Sequence, residues 1–371
     1  MKLRIRRASL VRAISVVAHS LPSHPPIPIL AGVLIRATGD TVTVAAFDHE
    51  VSSCAVVAEA IVDEPGAVLI SGRLLAEIAK ALPARPIEIS EGGSHLHMVS
   101  GSARFALPLM TIDDYPALPD AAAPRGTVDG AAFAEAVARA TVAAGRDDTL
   151  PMLTGVHLEF HGATLRLVCT DRFRIAVQEL DWQPANHDRS AALLVPARAL
   201  ADAAKTFLGE GIELGGAATG SVLSLSSPTQ HHTTRLLDMP YAPYERYLAD
   251  EHTTLARIDT TALVEAIKRV ALLSAHTSRI HLTFADSAVR LTAGDDTGGR
   301  AEESLPADLT GDPVTTAFNP RWLLDAVQVA RTSPIEIGLI GPTRAATFRP
   351  VGGASAGHRR LHILVPIRLP G

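Results

Sequence analysis

The chain has 371 residues, 47% of them hydrophobic, 20% charged and 4% aromatic, with a formal net charge of -5. This is the composition of a globular protein of two or three domains with aliphatic cores, and it excludes a disordered chain. No apolar run reaches the ~18 residues of a membrane-spanning helix, and the acidic balance speaks against a conventional basic DNA-binding domain while allowing a locally basic face.

In chain order, Leu10, Ile14 and Val17 stand at helical spacing and predict a first amphipathic helix. Residues 33–48, VLIRATGDTVTVAAFD, alternate apolar and polar, break at a Gly-Asp turn, resume alternation and end in Asp48, the pattern of a β-hairpin. Residues 71–82, SGRLLAEIAKAL, predict a second helix with Leu74, Leu75, Ile78 and Leu82 on the core face, followed by a short strand at 87–89. Loop-like composition at 121–126 ends this set, and the series then starts again. Phe133, Val137 and Ala140 predict a helix behind Asp129, the hairpin pattern returns at 156–171, a helix at 196–207 aligns without gaps on 71–82, and a strand follows at 212–214. After a second loop at 249–253 comes a third round: Leu263, Ile267 and Val270 behind Asp259, a hairpin at 280–295, a helix at 319–330 and a strand at 335–337. Asp129 and Asp259 are the expected N-caps of their helices.

A copy every 124 residues or so is a domain-sized period. The expected organisation is three similar α+β domains, 1–125, 126–250 and 251–371, each with two helices packed on antiparallel sheets.

Across the copies, Arg73, Arg198 and Arg321 share one register of the second helix, and Lys80, Lys205 and Gln328 lie seven residues on, along the same side. Arg73–Glu77 and Arg198–Asp202 also have ordinary ion-pair spacing, so each alone reads as a solvated helix face. Their recurrence in a net acidic chain points instead to a surface that meets phosphates without reading sequence. Arg139, Lys268 and Arg269 add cations on the first helices.

Catalysis finds no support. Asp48, Asp171 and Asp295 end equivalent hairpins, where turn chemistry favours Asp, although a metal or acid–base role is the alternative. The pairs His231-His232 and His95/His97 lack further ligands at metal spacing. There is no phosphate-binding loop, nucleophile elbow or dinucleotide fingerprint, and residues 353–357 read as a loop. Cys54 and Cys169 have no metal or redox spacing and are expected to be small buried hydrophobes in a reducing compartment. The basic N-terminus leads into no apolar signal core, so a cytoplasmic location is expected. An enzyme built on the repeat with aspartate-bound metal, and a repeat scaffold that binds only proteins, are the competing readings.

The tail LVPIRLPG (364–371) resembles the closing "MPxRL" segment of the bacterial DNA sliding clamp, the β subunit of the replicative DNA polymerase III holoenzyme, and its extra Pro-Gly resembles actinobacterial members. TDRFRIA (170–176) is similar to that family's "TDGHRLA", YAPYER (241–246) to "FPDYR", and residues 153–155 and 28–30 match as well. The resemblance covers the whole chain. It implies a non-catalytic processivity factor without cofactor or metal: a head-to-tail homodimeric ring around double-stranded DNA, with His24, Arg73, Lys80, Arg139, Arg198, Lys205, Lys268, Arg269 and Arg321 facing the DNA. It implies a dimer interface in which Phe105 and Leu107 meet Leu272 and Leu273, and Arg73 or Arg104 pairs with Glu302 or Glu303. It also implies a pocket for short linear motifs of the polymerase α subunit, clamp loader and repair proteins, built from Leu153, Thr170, Arg172, Phe173, Arg174, Ile175, Pro243, Arg246, Ile363, Val365, Pro366, Ile367 and Arg368. The chain departs from the family where Arg172-Phe173 replaces Gly-His, where Tyr247 replaces a smaller aliphatic and where His24 replaces Arg. A narrower pocket rim follows, and with it two readings: a specialised copy resistant to a clamp-binding inhibitor, or drift in a sole clamp.

Overall fold

A computed structural model describes the chain apart from residues 23, 187–190, 208, 217–220, 249–250, 275–278, 296–297, 331–333, 353–357 and 368–371. It falls into two compact units, one of residues 1–134 with 182–238 and the other of 135–181 with 239–371. The α-helices are α1 (Arg7–Val17), α2 (Gly72–Ala81), α3 (Gly130–Thr141), α4 (Ala197–Ala204), α5 (Thr260–Ala271) and α6 (Pro320–Val327). These are the six expected helices; the C-terminal parts of the segments predicted at 196–207 and 319–330 tighten into 3-10 turns, Lys205–Phe207 and Gln328–Ala330. Asp129 and Asp259 cap as expected, accepting the N–H of Ala132 at 2.8 Å and of Ala262 at 2.7 Å.

All three hairpins form. Gly32–Thr38 pairs with Thr41–Phe47, Gly155–His161 with Thr164–Thr170, and Ile280–Ala285 with Ala288–Asp295, each closed by a two-residue turn. The third turn, Asp286-Ser287, has positive φ at both residues (51° and 55°), as a primed hairpin turn requires. The terminal aspartates do turn work: Asp48 accepts from the N–H groups of Glu50 and Val51, Asp171 from Phe173 and Arg174, and Asp295 from Gly298.

In the first unit, the strand Gln230–Arg235 pairs with Val51–Val56, so strands of the first and second copies share one antiparallel sheet. In the second unit, Arg174–Asp181 pairs with Arg360–Leu364, which joins second- and third-copy strands the same way. The period-2 pattern fixed each strand's buried face but not its outer neighbour. Two cores stay within a copy, while a smaller one joins Val168, Ile175, Val177 and Tyr244 of the second copy to Leu361 and Ile363 of the third. One gathers Leu10, Ile14, Val17, Leu75 and Ile78 over the first-copy sheets, and another Leu263, Ile267, Val270, Leu323 and Val327 over the third. Each such buried aliphatic contributes roughly 1.5–3 kcal/mol. Leu74, expected on the core face of α2, is exposed. Its position borders the apolar stripe, and Leu75, Ile78 and Leu82 suffice to cover the sheet.

Two smaller sheets end in open edges. Ala103–Pro108 is the last strand of a five-stranded sheet, and Gly299–Pro306 the outer strand of a four-stranded one. No described helix is long and apolar enough to cross a membrane.

Candidate functional site

The turn that follows Thr170 organises a cleft of the second unit. Thr170 Oγ donates to the Arg174 carbonyl at 2.8 Å and accepts the Arg172 N–H at 3.2 Å. With Asp171 holding two further N–H groups, the loop is over-determined, and Arg172 is kept at φ 79°, a left-handed conformation that favours glycine. Arg174 turns inward: its guanidinium meets Asp171 at 2.8 Å and Asp325 of α6 at 2.7 Å, and lies 5.6 Å from the Trp322 ring centroid. The turn is thereby anchored to α6.

Around it lies a cleft of about 230 Å³ lined by Leu153, Thr170, Arg172, Arg174, Ile175, Pro243, Arg246, Ile363 and Val365, together with Ala242, Tyr244, Tyr247 and Ala345. Three expected residues stand elsewhere. The Phe173 ring stacks on Trp322 (centroids 5.4 Å apart), while the Phe173 carbonyl accepts the Val365 N–H at 2.8 Å. Pro366 is buried, and Ile367 donates its N–H to the Ala317 carbonyl. Of the departures expected at the rim, Arg172 and Tyr247 line the cleft and Phe173 does not. Arg368 lies outside the described residues.

Tyr244 is buried beneath the cleft and donates to Glu159 at 2.8 Å. Glu159 also meets His157 (3.1 Å), His161 (2.9 Å) and Arg166 (3.3 Å). Burial pushes its carboxyl up, but hydrogen bonds from the two histidines and Tyr244 outweigh this and hold it at about 2. Tyr241 stacks on His157, with centroids 4.6 Å apart. This polar floor was missed by sequence reasoning. Its only trace was the alternation at 155–161 placing His157, Glu159 and His161 on one face of a strand, and the tyrosines sit some 80 residues away in the chain.

The cleft's apolar walls with a few polar groups suit an extended peptide carrying an apolar anchor.

The second candidate surface is the outer side of the repeated helices. Arg73, Lys80, Arg198, Lys205, Lys268 and Arg321 are exposed, as is His24. The carboxylate four residues after each second-helix Arg takes a different partner in each copy: Glu77 takes Arg73 at 3.1 Å, Asp202 takes Lys205 at 3.1 Å rather than Arg198, and Asp325 takes Arg174. Among the described residues Lys80, Arg198 and Arg321 have no carboxylate partner. Two expected cations are paired with carboxylates of their own chain. Arg139 is largely covered and meets Glu135 at 2.5 Å, and Arg269 makes a two-pronged pair with Glu303 (2.6 and 3.0 Å). Glu303 was an expected cross-chain partner and is engaged within its own chain.

Of the expected interface residues, Leu272 is 77% exposed, and Phe105, Leu273, Arg104 and Glu302 are also open. Leu107 is 1% exposed and belongs to the core, because alternation along Ala103–Pro108 points it the opposite way from Arg104 and Ala106. The histidine pair carries no metal geometry: His232 is buried with Nδ1 2.7 Å from Ser53 and Nε2 3.1 Å from Thr206. Among the described residues no group of three His, Cys, Asp or Glu side chains is arranged to hold a metal ion.

Models of the DNA polymerase III beta subunit match in series: the N-terminal domain over residues 1–119, the central domain over 127–242 and the C-terminal domain over 245–363. The Streptomyces coelicolor beta sliding clamp is 40% identical, covering 100% of both chains. A beta sliding clamp homolog of Streptomyces muensis, GriR, is 40% identical over 88% of each. The fold matches that of the Pseudomonas aeruginosa sliding clamp bound to griselimycin, with a TM-score of 0.92, 24% identity and 100% of both chains covered. Matched along its length by these models and by a full-length relative, the chain belongs to the DNA polymerase III beta subunit family, the bacterial beta sliding clamps.

Proposed function

We propose that this chain forms a head-to-tail homodimeric ring around duplex DNA in the cytoplasm, tethering the replicative polymerase and other partners through short peptide motifs, without catalysing a reaction. The three domains of the ring are 1–125, 126–250 and 251–371. The carrying observation is the cation at one register of three homologous helices, Arg73, Arg198 and Arg321, all exposed on a net acidic chain. Such a lining touches phosphates without sequence preference, and a topological link needs no tight contact. Two open sheet edges, at Ala103–Pro108 and Gly299–Pro306, with Phe105 and Leu272 exposed beside them, support a heterologous contact that closes by rotation. The test is retention on nicked circular DNA after loading by the clamp loader and ATP. Retention on circles with release from linearised DNA is expected; equal retention on both overturns the ring.

A second reading rests on the cleft rim: this is a specialised copy whose Arg172 and Tyr247 exclude a clamp-binding inhibitor while admitting partner peptides. Similarity to GriR and to a griselimycin-bound clamp supports it. Replacing Arg172→Gly and Tyr247→Leu together should tighten griselimycin binding, and unchanged affinity sinks this reading.

A further inference from the structure

On the other face of the sheet from the cleft beside the Thr170 turn lies a larger cavity of the second unit. Side chains alternate along Arg360–Leu364, so Leu361 and Ile363 face the cleft side while His362 and Leu364 face the helices. The cavity measures about 450 Å³ and forms where α3, α5, α6 and the turn Gln328–Ala330 meet that strand. A single aromatic ring needs about 150 Å³, so there is room for a ring with a substituent.

Two features of the lining define what fits. The first is that its charges are answered within the fold: Asp325 pairs with Arg174 at 2.7 Å, and Arg139 with Glu135 at 2.5 Å. A charged ligand would give up its hydration and find no counter-charge left to meet it. Val142, Val264 and Val329 supply apolar wall instead. The second feature is His362, which is 2% exposed and whose Nε2 has no hydrogen-bond partner among the described residues. The ring nitrogen that meets the Arg139 backbone is therefore Nδ1, and because that bond favours the protonated ring, Nδ1 is the donor. Burial keeps the ring uncharged at neutral pH, so Nε2 presents a lone pair and no proton. A buried acceptor without a donor is costly, and native proteins nearly always meet such groups.

We propose that this cavity is a small-molecule site that takes an uncharged ligand with an apolar body and one hydroxyl or N–H donor, the donor meeting His362 Nε2 and the body lying against the three valines. The site is separate from the peptide cleft and does not depend on the peptide reading. Its walls come from both the second and the third copy, so an occupant would bridge α3 to α5.

The test is an NMR titration of the full chain with benzyl alcohol and with toluene, probes that share a ring and differ by the hydroxyl. Both should bind the unaltered protein. His362→Phe keeps a planar ring and removes the acceptor. It should lower the affinity of benzyl alcohol relative to toluene about three- to ten-fold, the range of one hydrogen bond. Val264→Trp fills the cavity from a half-buried position on α5 and should abolish binding of both probes. It leaves His362 in place, and so keeps the proposal open to refutation if His362→Phe fails to fold. A relative affinity unchanged by His362→Phe overturns the proposal, as does binding that survives Val264→Trp. Binding of neither probe by the unaltered protein overturns it too.

Discussion

Arg172 and Arg174 lie two positions apart and show how far a residue's surroundings decide its role. Arg174 is buried between two carboxylates and a Trp ring and holds the turn to α6, whereas Arg172 stands exposed at the cleft mouth at φ 79°. A side chain in that backbone region destabilises by about 1 kcal/mol or more relative to an unstrained one, and glycine returns part of this as unfolded-state entropy. Arg172→Gly should therefore raise stability by about 0.5–1 kcal/mol, read from the midpoint of urea denaturation. The family resemblance pointed to the missing glycine at this position. That the backbone conformation persists without it is visible only in the structure, since a one-dimensional pattern carries no φ.

At the scale of elements, the repeated hairpins and helices were legible because their periods, two and 3.6, are properties of single segments. Their junctions were less so. α3 begins at Gly130, whose N–H meets the Glu210 carbonyl at 3.0 Å, and a Cβ there would run into the backbone carbonyls of Glu210 and Phe207. Gly130→Ala should lower stability by about 2–3 kcal/mol although alanine is the better helix former, because neither carbonyl can move without the chain that carries it. A thermal melt decides it: a neutral or stabilising result would show the strand entry yielding. The same limit explains Leu74 and Leu107. A stripe or an alternation says which residues share a face, but the neighbour's shape sets where burial stops.

At the scale of the whole molecule, buried histidines make stability fall with acid. Burial holds His362 at about 4, with the nearby charges of Arg174 and Arg139 adding to it and a hydrogen bond to the Arg139 backbone opposing, and burial with His231 and His19 holds His232 at about 3. Both stay neutral in the fold while the unfolded imidazoles, near 6.5, take up protons. The unfolded chain then binds more protons, so stability should drop as pH falls from about 6.5 towards 4 and then 3. Melting temperatures across that range check this, and a flat profile between pH 7 and 5 contradicts it. Assembly is tested at the exposed apolar edge: Leu272→Glu should weaken self-association at least about ten-fold in sedimentation, with the core intact because that side chain is 77% exposed.

The sequence by itself determined the threefold repeat, the hairpins with their aspartate-held turns, the six helices and the family, because each is written in local periodicity or in contiguous motifs. Only the tertiary structure decided that sheets continue from one copy's strands into the next, that Arg269 is taken by Glu303 and Arg139 by Glu135, that Phe173 leaves the cleft for Trp322, and that Glu159 is pinned beneath it by residues from distant segments. The physical reason is the same in each case. A side chain's partner is whichever complementary group the packed backbone brings within about 3 Å, and that distance is a property of the fold, not of sequence separation.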